Sequence, residues 1–516
     1  MTATLVSTPR ARTSLTESLP RHVVHLLAAA VVVARLPFLT HAPGQDEAGF
    51  LMIGQQWQHG GTSLYGNYWV DRPPLLITIF RFAALHGGVV PLRLVGCLAA
   101  ALVVLGSAHV ARQVAGDQAA RWAALTAAAL CVSPLLGSLG VDGELLSAPF
   151  VLAGTSAALA AIRHPDDRRA VVFAALAGAA TVGALMVKQN MADVGVFATV
   201  AVILAWRRGE ISGHRLRGSV VGYVVGAVLC LAVVAAWTLL HGTSLTGVFD
   251  AMYPFRVEAG RVMAASNRQR ANARLWLLLG SWLLSGGAVI MAAITWALVS
   301  RRLHGAASWG LVATLVFDIV SISLGGNYWH HYLIQLVGPI SIVAGVLVAR
   351  RQPGIRSVLA VAVVAAAVAW VAVVPRGAAS SVGSTLGHAV AAAASPSDTI
   401  ITIYGNADVT QTSGLASPYP YLWYLPAKTL DPQQHTLDAV LRGPSAPTWF
   451  VTWTNVASWG SVSATTSRLI ARHYHPVAHL RSHTVYLHNG VVRPVPSVSP
   501  TGPSTSTTSP NQENLP

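Results

Sequence analysis

Two acidic residues, Asp46 and Glu47, lie side by side just after the first apolar stretch of the chain. The segment that they open, 44–74, ends on the run DRPP at 71–74, which adds a third acid and an arginine. Carboxylates placed in this way are common acid–base catalysts, and charge is scarce in this chain. We therefore interpret the segment as a catalytic loop. The alternative is a solvated loop in which an aspartate caps a helix over 47–59.

The composition is that of a membrane protein with many spans. Of the 516 residues, 53% are hydrophobic and 10% are charged, whereas soluble domains carry about 25% charged residues. The net charge is +15, but the arginines recur between apolar stretches, which indicates membrane topology and argues against nucleic-acid binding. The three cysteines all lie within apolar stretches, so we expect no disulfide framework.

Eleven stretches are apolar enough to span a bilayer, which takes about 20 residues. They are 22–40, 92–112, 119–138, 145–162, 169–187, 190–206, 218–240, 275–299, 306–324, 331–349 and 357–374. The stretch 75–87 is shorter and contains Arg81, so we expect an interfacial helix lying on the membrane. The predicted fold class is an α-helical polytopic membrane protein.

The arginines also predict which connections face the cytoplasm. With the N-terminus inside, the inside connections 112–121, 163–169, 207–217, 301–302 and 350–356 each carry at least two arginines, and the outside connections 139–144 and 325–330 carry none. We therefore expect a multi-pass protein of the cell (plasma) membrane. Its cytoplasmic tail is 1–21, its first outer loop is 41–91, and its transmembrane domain is 22–375.

One outside connection, 241–274, is rich in arginine and includes Arg256. Apolar residues between the arginines suit a partly amphipathic helix. Two interpretations fit this segment equally. It is either a surface helix that binds anionic headgroups or a clamp for a lipid-linked phosphate.

The character of the sequence changes after residue 375. Strands are predicted at 398–405 and 447–454, a helix at 461–474 and a hairpin at 477–489. We expect a small extracytoplasmic α/β domain over 376–493 and a disordered Pro/Ser/Thr-rich tail over 494–516. No P-loop or dinucleotide fingerprint is present, which counts against an ATP-driven pump.

The predicted topology gathers ionisable residues on the outer face of the membrane. They are Asp46, Glu47, Asp71, Asp142, Glu144, Lys188, His330, His331 and Tyr332. Such groups are costly at membrane depth and usually functional. We therefore predict one outer-face cavity lined by loops that are distant in sequence.

Each member of this set also has a simpler interpretation. Glu144 could favour a helix N-terminus through the dipole, and Lys188 could snorkel, although a compact ammonium also suits a phosphate. His330 and His331 resemble half a metal site, but neighbouring residues on a helix point in different directions, so a divalent metal stays open. Asp318, inside a span, has no predicted partner.

The order of these features resembles the membrane-embedded glycosyltransferases that use polyprenyl-phosphate sugars. This group has the GT-C fold and includes the protein O-mannosyltransferases and the lipid A aminoarabinose transferases. The residues that carry the resemblance are Asp46, Glu47, Tyr65, Asp71, Arg72, Pro73, Pro74, Arg93, Asp142, Lys188, His331, Tyr332 and Pro339. Two features depart from the family pattern: Arg72 stands where relatives often have lysine, and the C-terminal domain is short.

The resemblance implies transfer of a hexose or pentose from a polyprenyl-phosphate donor to an extracytoplasmic acceptor, which is a cell-envelope glycan, lipid or protein. The donor's tail would lie in the lipid bilayer, and no nucleotide is needed. Asp46 would be the general base, with Glu47 and Asp142 as the other catalytic candidates. The implied substrate-binding residues are Tyr65, Asp71, Arg72, Glu144, Lys188, Arg256, His331 and Tyr332.

Two other functional classes remain as alternatives. A secondary transporter places charge near the bilayer midplane in broken helices and often has repeated halves, whereas here the charge is expected at one face. A lipid-binding protein without transferase activity would not need Asp46, Asp142 and Lys188 together.

Overall fold

The structure is a computed structural model that describes residues 22–58, 60–266, 268–374, 381–453 and 463–497. The predicted tail 1–21 and most of the predicted tail 494–516 lie outside these residues. The chain divides into two compact units, Met1–Ala379 and Ser380–Pro516.

The first unit is built mainly from helices in its described residues. Its helices are α1 Val23–Arg35, α2 Gln45–Gln56, α3 Pro74–Leu85, α4 Val89–Val132, α5 Gly143–Arg163, α6 Asp167–Val187, α7 Asp193–Arg207, α8 Gly213–Leu240, α9 Leu245–Met252, α10 Pro254–Ser266, α11 Arg268–Leu284, α12 Gly287–Val299, α13 Ala306–Leu324, α14 Val337–Ala349 and α15 Ile355–Val373. Short 3-10 segments occupy Leu36–Phe38, Pro134–Leu136 and His330–Leu336.

Among the described helices, seven are long and apolar enough to cross a membrane, or eight if a bent pair counts as one span. All eleven predicted spans correspond to helices, but α1 has 13 residues and α7 has 15, fewer than the roughly 20 that a bilayer needs. Two further predicted spans share the helix α4, which breaks at Gly116 with φ of +79°. The polytopic helical class is therefore confirmed, and the count of eleven stays a prediction.

The predicted span 275–299 is not one continuous helix. It divides into 271–284 and α12, which are bent by 75° relative to each other. Gly286 lies at the break with φ of +80°, and a Cβ there would approach the backbone of Ala362 to 2.8 Å. A residue with a side chain would be strained in this conformation, so the glycine permits the close approach.

The predicted outer loop 41–91 contains two helices. The stretch 75–87 forms the helix α3, and its interfacial position stays a prediction. The helix predicted over 47–59 is α2, which begins two residues earlier. Between them, Tyr65 pairs with Tyr68 in a tight antiparallel bridge. The arginine-rich segment 241–274 forms α9, α10 and the start of α11.

The second unit is a small α/β domain, as predicted. Its elements are α16 Val382–Ala393, β1 Ile400–Ile403, α17 Ala407–Ser413, α18 Tyr424–Leu430, α19 His435–Arg442, β2 Trp449–Thr452, α20 Ala464–His473, β3 Tyr474–Leu480 and β4 His483–His488. The sheet order is β1-β2-β4-β3, with β1 and β2 parallel and the other pairs antiparallel. Buried apolar side chains, among them Trp449 and Phe450, form its core.

Candidate active site

The two adjacent acidic residues of the predicted first outer loop, Asp46 and Glu47, lie in different environments. Helix α2 begins at Gln45, so Asp46 lies in the first turn and does not cap the helix. Glu47 is the residue that completes the cap, because its Oε2 accepts a hydrogen bond from the Gly44 backbone N–H at 3.0 Å. Glu47 is buried, whereas Asp46 is half-buried.

Glu47 also fixes the connection between α4 and α5. Its Oε2 lies 2.7 Å from Arg93 Nη2, and its Oε1 accepts a hydrogen bond from the Val141 backbone N–H at 2.7 Å. Arg93 donates to the Leu139 carbonyl at 2.6 Å. Arg35, at the end of α1, donates to the carbonyls of 138, 139 and 140. Three buried charged side chains thus hold one loop.

Asp142 follows this fixed loop and begins α5. Its Oδ1 accepts a hydrogen bond from the Leu145 backbone N–H at 3.0 Å, which caps the helix. Burial, and then the nearby carboxylate of Glu144, raise the pKa of Asp142 well above its usual range. A raised pKa favours the protonated form, in which a carboxyl group can donate a hydrogen bond.

Lys188 meets Glu144 directly beside Asp142. The Lys188 ammonium lies 2.6 Å from Glu144 Oε1 and 5.2 Å from the centroid of the Tyr332 ring. A Cβ at Gly143 would lie 2.8 Å from the Lys188 side chain, so the lysine stem packs tightly against the start of α5. These contacts place the ammonium at one position in the site, with both partners buried or nearly so.

His331 and Tyr332 enter from the 3-10 segment His330–Leu336. Their rings meet edge to face, with centroids 5.0 Å apart. Gly137, with φ of +66°, allows the loop before α5 to approach the His331 backbone, since a Cβ there would lie 3.1 Å from the His331 nitrogen. His331 also interacts electrostatically with Glu144.

Two arginines converge on Asp71. Its Oδ1 lies 2.7 Å from Arg72 Nη1, and its Oδ2 lies 2.7 Å from Arg256 Nη2 in α10. Burial favours the neutral form of Asp71, but the Arg256 and Arg72 guanidiniums outweigh it and lower the pKa of the carboxyl. Tyr65 donates its hydroxyl proton to the Arg72 carbonyl at 2.7 Å. Gln189 donates to the Asp71 carbonyl at 3.3 Å.

Asp46 interacts electrostatically with Arg72 and Arg256 and with His331 and Tyr332. The catalytic and substrate-binding candidates from the sequence are thus linked by contacts in the structure, whereas His330 bonds elsewhere. Arg261, elsewhere in α10, is exposed and pairs with Glu258 at 2.9 Å, so the two arginines of this helix differ in their surroundings.

The sequence did not single out Arg35. It lies within the first predicted span, where an arginine only interrupts the apolar pattern. Its partners are backbone carbonyls more than 100 residues away in the sequence. Arg93 was part of the family resemblance, but its pairing with Glu47 had no signal in the local sequence.

Within the described residues, no group of three or more His, Cys, Asp or Glu side chains is arranged to hold a metal ion. His330 bonds to the backbone of Leu277, whereas His331 lies among the site residues, so the two histidines do not act as a pair.

The fold of the chain matches that of solved membrane proteins. ArnT from Cupriavidus metallidurans bound to undecaprenyl phosphate matches with a TM-score of 0.61 at 15% identity, over 90% of this chain and 97% of ArnT. The apo state of ArnT matches with a TM-score of 0.58 at 16% identity over the same shares. This chain has the fold of ArnT. The predicted resemblance to membrane-embedded glycosyltransferases is thereby confirmed at the level of the fold.

The archaeal oligosaccharyltransferase AglB from Archaeoglobus fulgidus also matches. Its complex with an inhibitory peptide and a dolichol-phosphate has a TM-score of 0.50 at 11% identity, over 91% of this chain and 74% of AglB. No family model matches the sequence, and no curated protein matches it. The likeness to these solved structures therefore lies in the fold.

Proposed function

We propose that this protein transfers a sugar from a polyprenyl-phosphate donor to an extracytoplasmic acceptor of the cell envelope, with Asp46 as the general base. The observation that carries the proposal is that Asp46 interacts with Arg72, Arg256 and His331, in a chain that shares the fold of ArnT bound to undecaprenyl phosphate. A phosphate donor needs cations, and an acceptor hydroxyl needs a base within reach of the same reaction centre.

The cations Arg72, Arg256 and Lys188 would bind the donor phosphate. Asp71 orients Arg72 and Arg256 by one carboxylate oxygen each, and Glu144 orients Lys188. Arginine suits phosphate through its planar set of donors, and lysine acts as a point charge. Because these cations are already positioned, little reorganisation is needed when negative charge develops on the departing phosphate.

Transfer would then proceed in one displacement. The acceptor oxygen attacks the anomeric carbon and forms the new glycosidic bond, while the bond from that carbon to the phosphate oxygen breaks. Asp46 takes the hydroxyl proton, and the electron pair leaves with the polyprenyl phosphate, so the anomeric centre is inverted. Asp142, held at the start of α5 by its bond to the Leu145 N–H, would orient one substrate, and Glu47 would hold the loop before Asp142.

An apolar groove of about 700 Å³ suits the polyprenyl tail. It lies between α3, α4 and α5, and its lining includes Ile79, Leu98, Leu102, His109, Leu146 and Ser156. Leu146 lies in the first turn of α5, the helix that also carries Glu144. In this proposal the tail lies in the groove, and its phosphate reaches the end of α5 where Glu144 pairs with Lys188.

A sugar-transfer assay with the protein reconstituted in liposomes tests the proposal. Liposomes that contain the protein and a polyprenyl-phosphate sugar should release polyprenyl phosphate when an envelope-derived acceptor is added, and mass spectrometry should find the acceptor glycosylated. A donor with a short isoprenoid chain should react more slowly because it leaves the groove unfilled. Solute uptake by the same liposomes without any sugar transfer would support a secondary transporter instead.

The topology has its own test. We propose that the first outer loop and the second unit are extracytoplasmic, because arginine-poor connections lie on that side. In a variant whose native cysteines are replaced, an impermeant thiol reagent should label the exposed positions Thr62→Cys and Val492→Cys in intact cells. Asp166→Cys should react only after permeabilisation. The reverse labelling pattern would show that the protein has the opposite orientation in the membrane and that the site faces the cytoplasm.

A further inference from the structure

Two carboxyl groups that the proposed mechanism does not use meet inside the first unit. Asp193 opens α7 and Asp318 lies within α13, and both side chains are fully buried, with 0% exposed. Both oxygens of Asp193 and Oδ2 of Asp318 are buried and accept a hydrogen bond from no described donor, and the two carboxyl groups interact directly with each other. Within the part of the chain that the structure describes, no arginine, lysine or histidine side chain bonds to either of them.

The contact between these carboxyl groups requires a proton. An ionised carboxylate only accepts hydrogen bonds, so one of the two groups must be protonated to donate. Two adjacent negative charges in a buried, apolar setting would also repel each other strongly. The N-terminus of α7 favours a negative charge on Asp193, which leaves Asp318 as the protonated partner.

A chain of amide contacts leads from Asp318 toward the candidate site. Gln335 donates from Nε2 to Asp318 Oδ1 at 2.8 Å, which turns its carbonyl oxygen toward Asn190. Asn190 donates from Nδ2 to that oxygen at 3.2 Å and to Ser321 Oγ at 2.8 Å. The acid pair therefore fixes the orientation of both amides.

The two amides belong to the segments that carry site residues. Asn190 lies two residues after Lys188, in a turn closed by the bond from the Met191 N–H to the Lys188 carbonyl at 3.0 Å. Gln335 lies three residues after Tyr332 in the same 3-10 segment. Lys188 and Tyr332 meet at 5.2 Å, and their segments meet again at the hydrogen bond between Asn190 and Gln335.

We propose that Asp193 and Asp318 share one proton and form a positioning pair, which holds Lys188 and Tyr332 in place through Gln335 and Asn190. This inference rests on the proposed function for its effect on transfer. The proton sits on Asp318 Oδ2 and is donated to Asp193, while Asp318 Oδ1 accepts from Gln335.

Substitutions at position 318 separate the shared proton from simple packing. Asp318→Asn keeps both bonds, since its amide can donate to Asp193 and accept from Gln335, and it should turn over close to the wild-type rate. Asp318→Leu removes both bonds and should lower kcat by up to about a hundredfold, the scale of a 1 Å misplacement. Gln335→Met keeps the acid pair but breaks the link to Asn190, so its kcat should also fall.

Infrared spectroscopy of the purified protein provides a readout that does not depend on activity. The difference spectrum between the wild type and Asp318→Asn should contain the carbonyl band of a protonated, buried carboxylic acid, and Gln335→Met should retain that band. If the difference spectrum lacks this band, or if Asp318→Asn is as impaired as Asp318→Leu, the shared proton is refuted. If Gln335→Met keeps wild-type kcat, the acid pair does not position Lys188 and Tyr332 through Gln335. A band with the expected pattern in a protein that transfers no sugar would instead leave the pair intact and refute the proposed function.

Discussion

Replacing Asp46 by asparagine is expected to abolish sugar transfer while leaving the protein folded. Asparagine has the size of aspartate but cannot take a proton from the acceptor, and loss of a general base lowers the rate by about 10²–10⁴-fold. Asp46 lies in the first turn of α2 and is half-buried, so its own contribution to the fold is small. Single-turnover kinetics on purified Asp46→Asn, with donor affinity and melting temperature measured in parallel, test this expectation.

Glu47→Gln is the matched control, because it makes the same change one residue away. Glu47 pairs with Arg93 at 2.7 Å in a buried setting, and removing one partner of a buried ion pair costs about 3–5 kcal/mol. We therefore expect Glu47→Gln to melt at a lower temperature and Asp46→Asn to melt near the wild type. If Glu47→Gln is folded and dead while Asp46→Asn is active, the base is Glu47. If both variants turn over normally, 44–74 is not the catalytic loop.

The residues of the site could be recognised from the sequence because charge is rare in an apolar chain. Asp142 and Lys188 stand at the ends of predicted spans, and each lies in the site. The sequence predicts that these residues line one cavity, but it does not predict which of them pair with each other. That Glu144 pairs with Lys188, and that Arg256 pairs with Asp71, depends on helix packing, which no spacing in the sequence encodes.

Other features of the fold had no local signal. Arg35 lies in an apolar stretch and bonds to carbonyls after α4, and Asp318 pairs with Asp193, which lies in another helix. The break at Gly286 interrupts a stretch that is apolar on both sides, so hydropathy alone predicts one span there. Each of these features is a tertiary contact or a backbone angle, whereas hydropathy and arginine placement report only on composition along the chain.

The largest effect on donor binding is expected at Lys188. A single substitution there would change the stability of the fold as well as donor binding, so the two effects could not be separated. Lys188 neutralises Glu144, whose side chain is 1% exposed. Lys188→Ala would therefore leave a buried carboxylate unpaired and destabilise the fold by about 3–5 kcal/mol. The double variant Lys188→Met with Glu144→Gln removes both charges at similar volume, so it should melt near the wild type.

In this double variant we expect weaker binding of the polyprenyl-phosphate donor. A hydrogen bond to a charged group contributes about 1.5–3 kcal/mol, and its loss corresponds to a rise in donor Kd of about ten- to a hundredfold. Lys428→Ala, which removes the only other lysine of the chain and lies in the second unit, should bind the donor like the wild type. Titration of detergent-solubilised protein with a fluorescent polyprenyl phosphate measures both variants. A donor Kd that is unchanged in the double variant would assign the phosphate to Arg72 and Arg256 alone, and Lys188 would then serve only to neutralise Glu144.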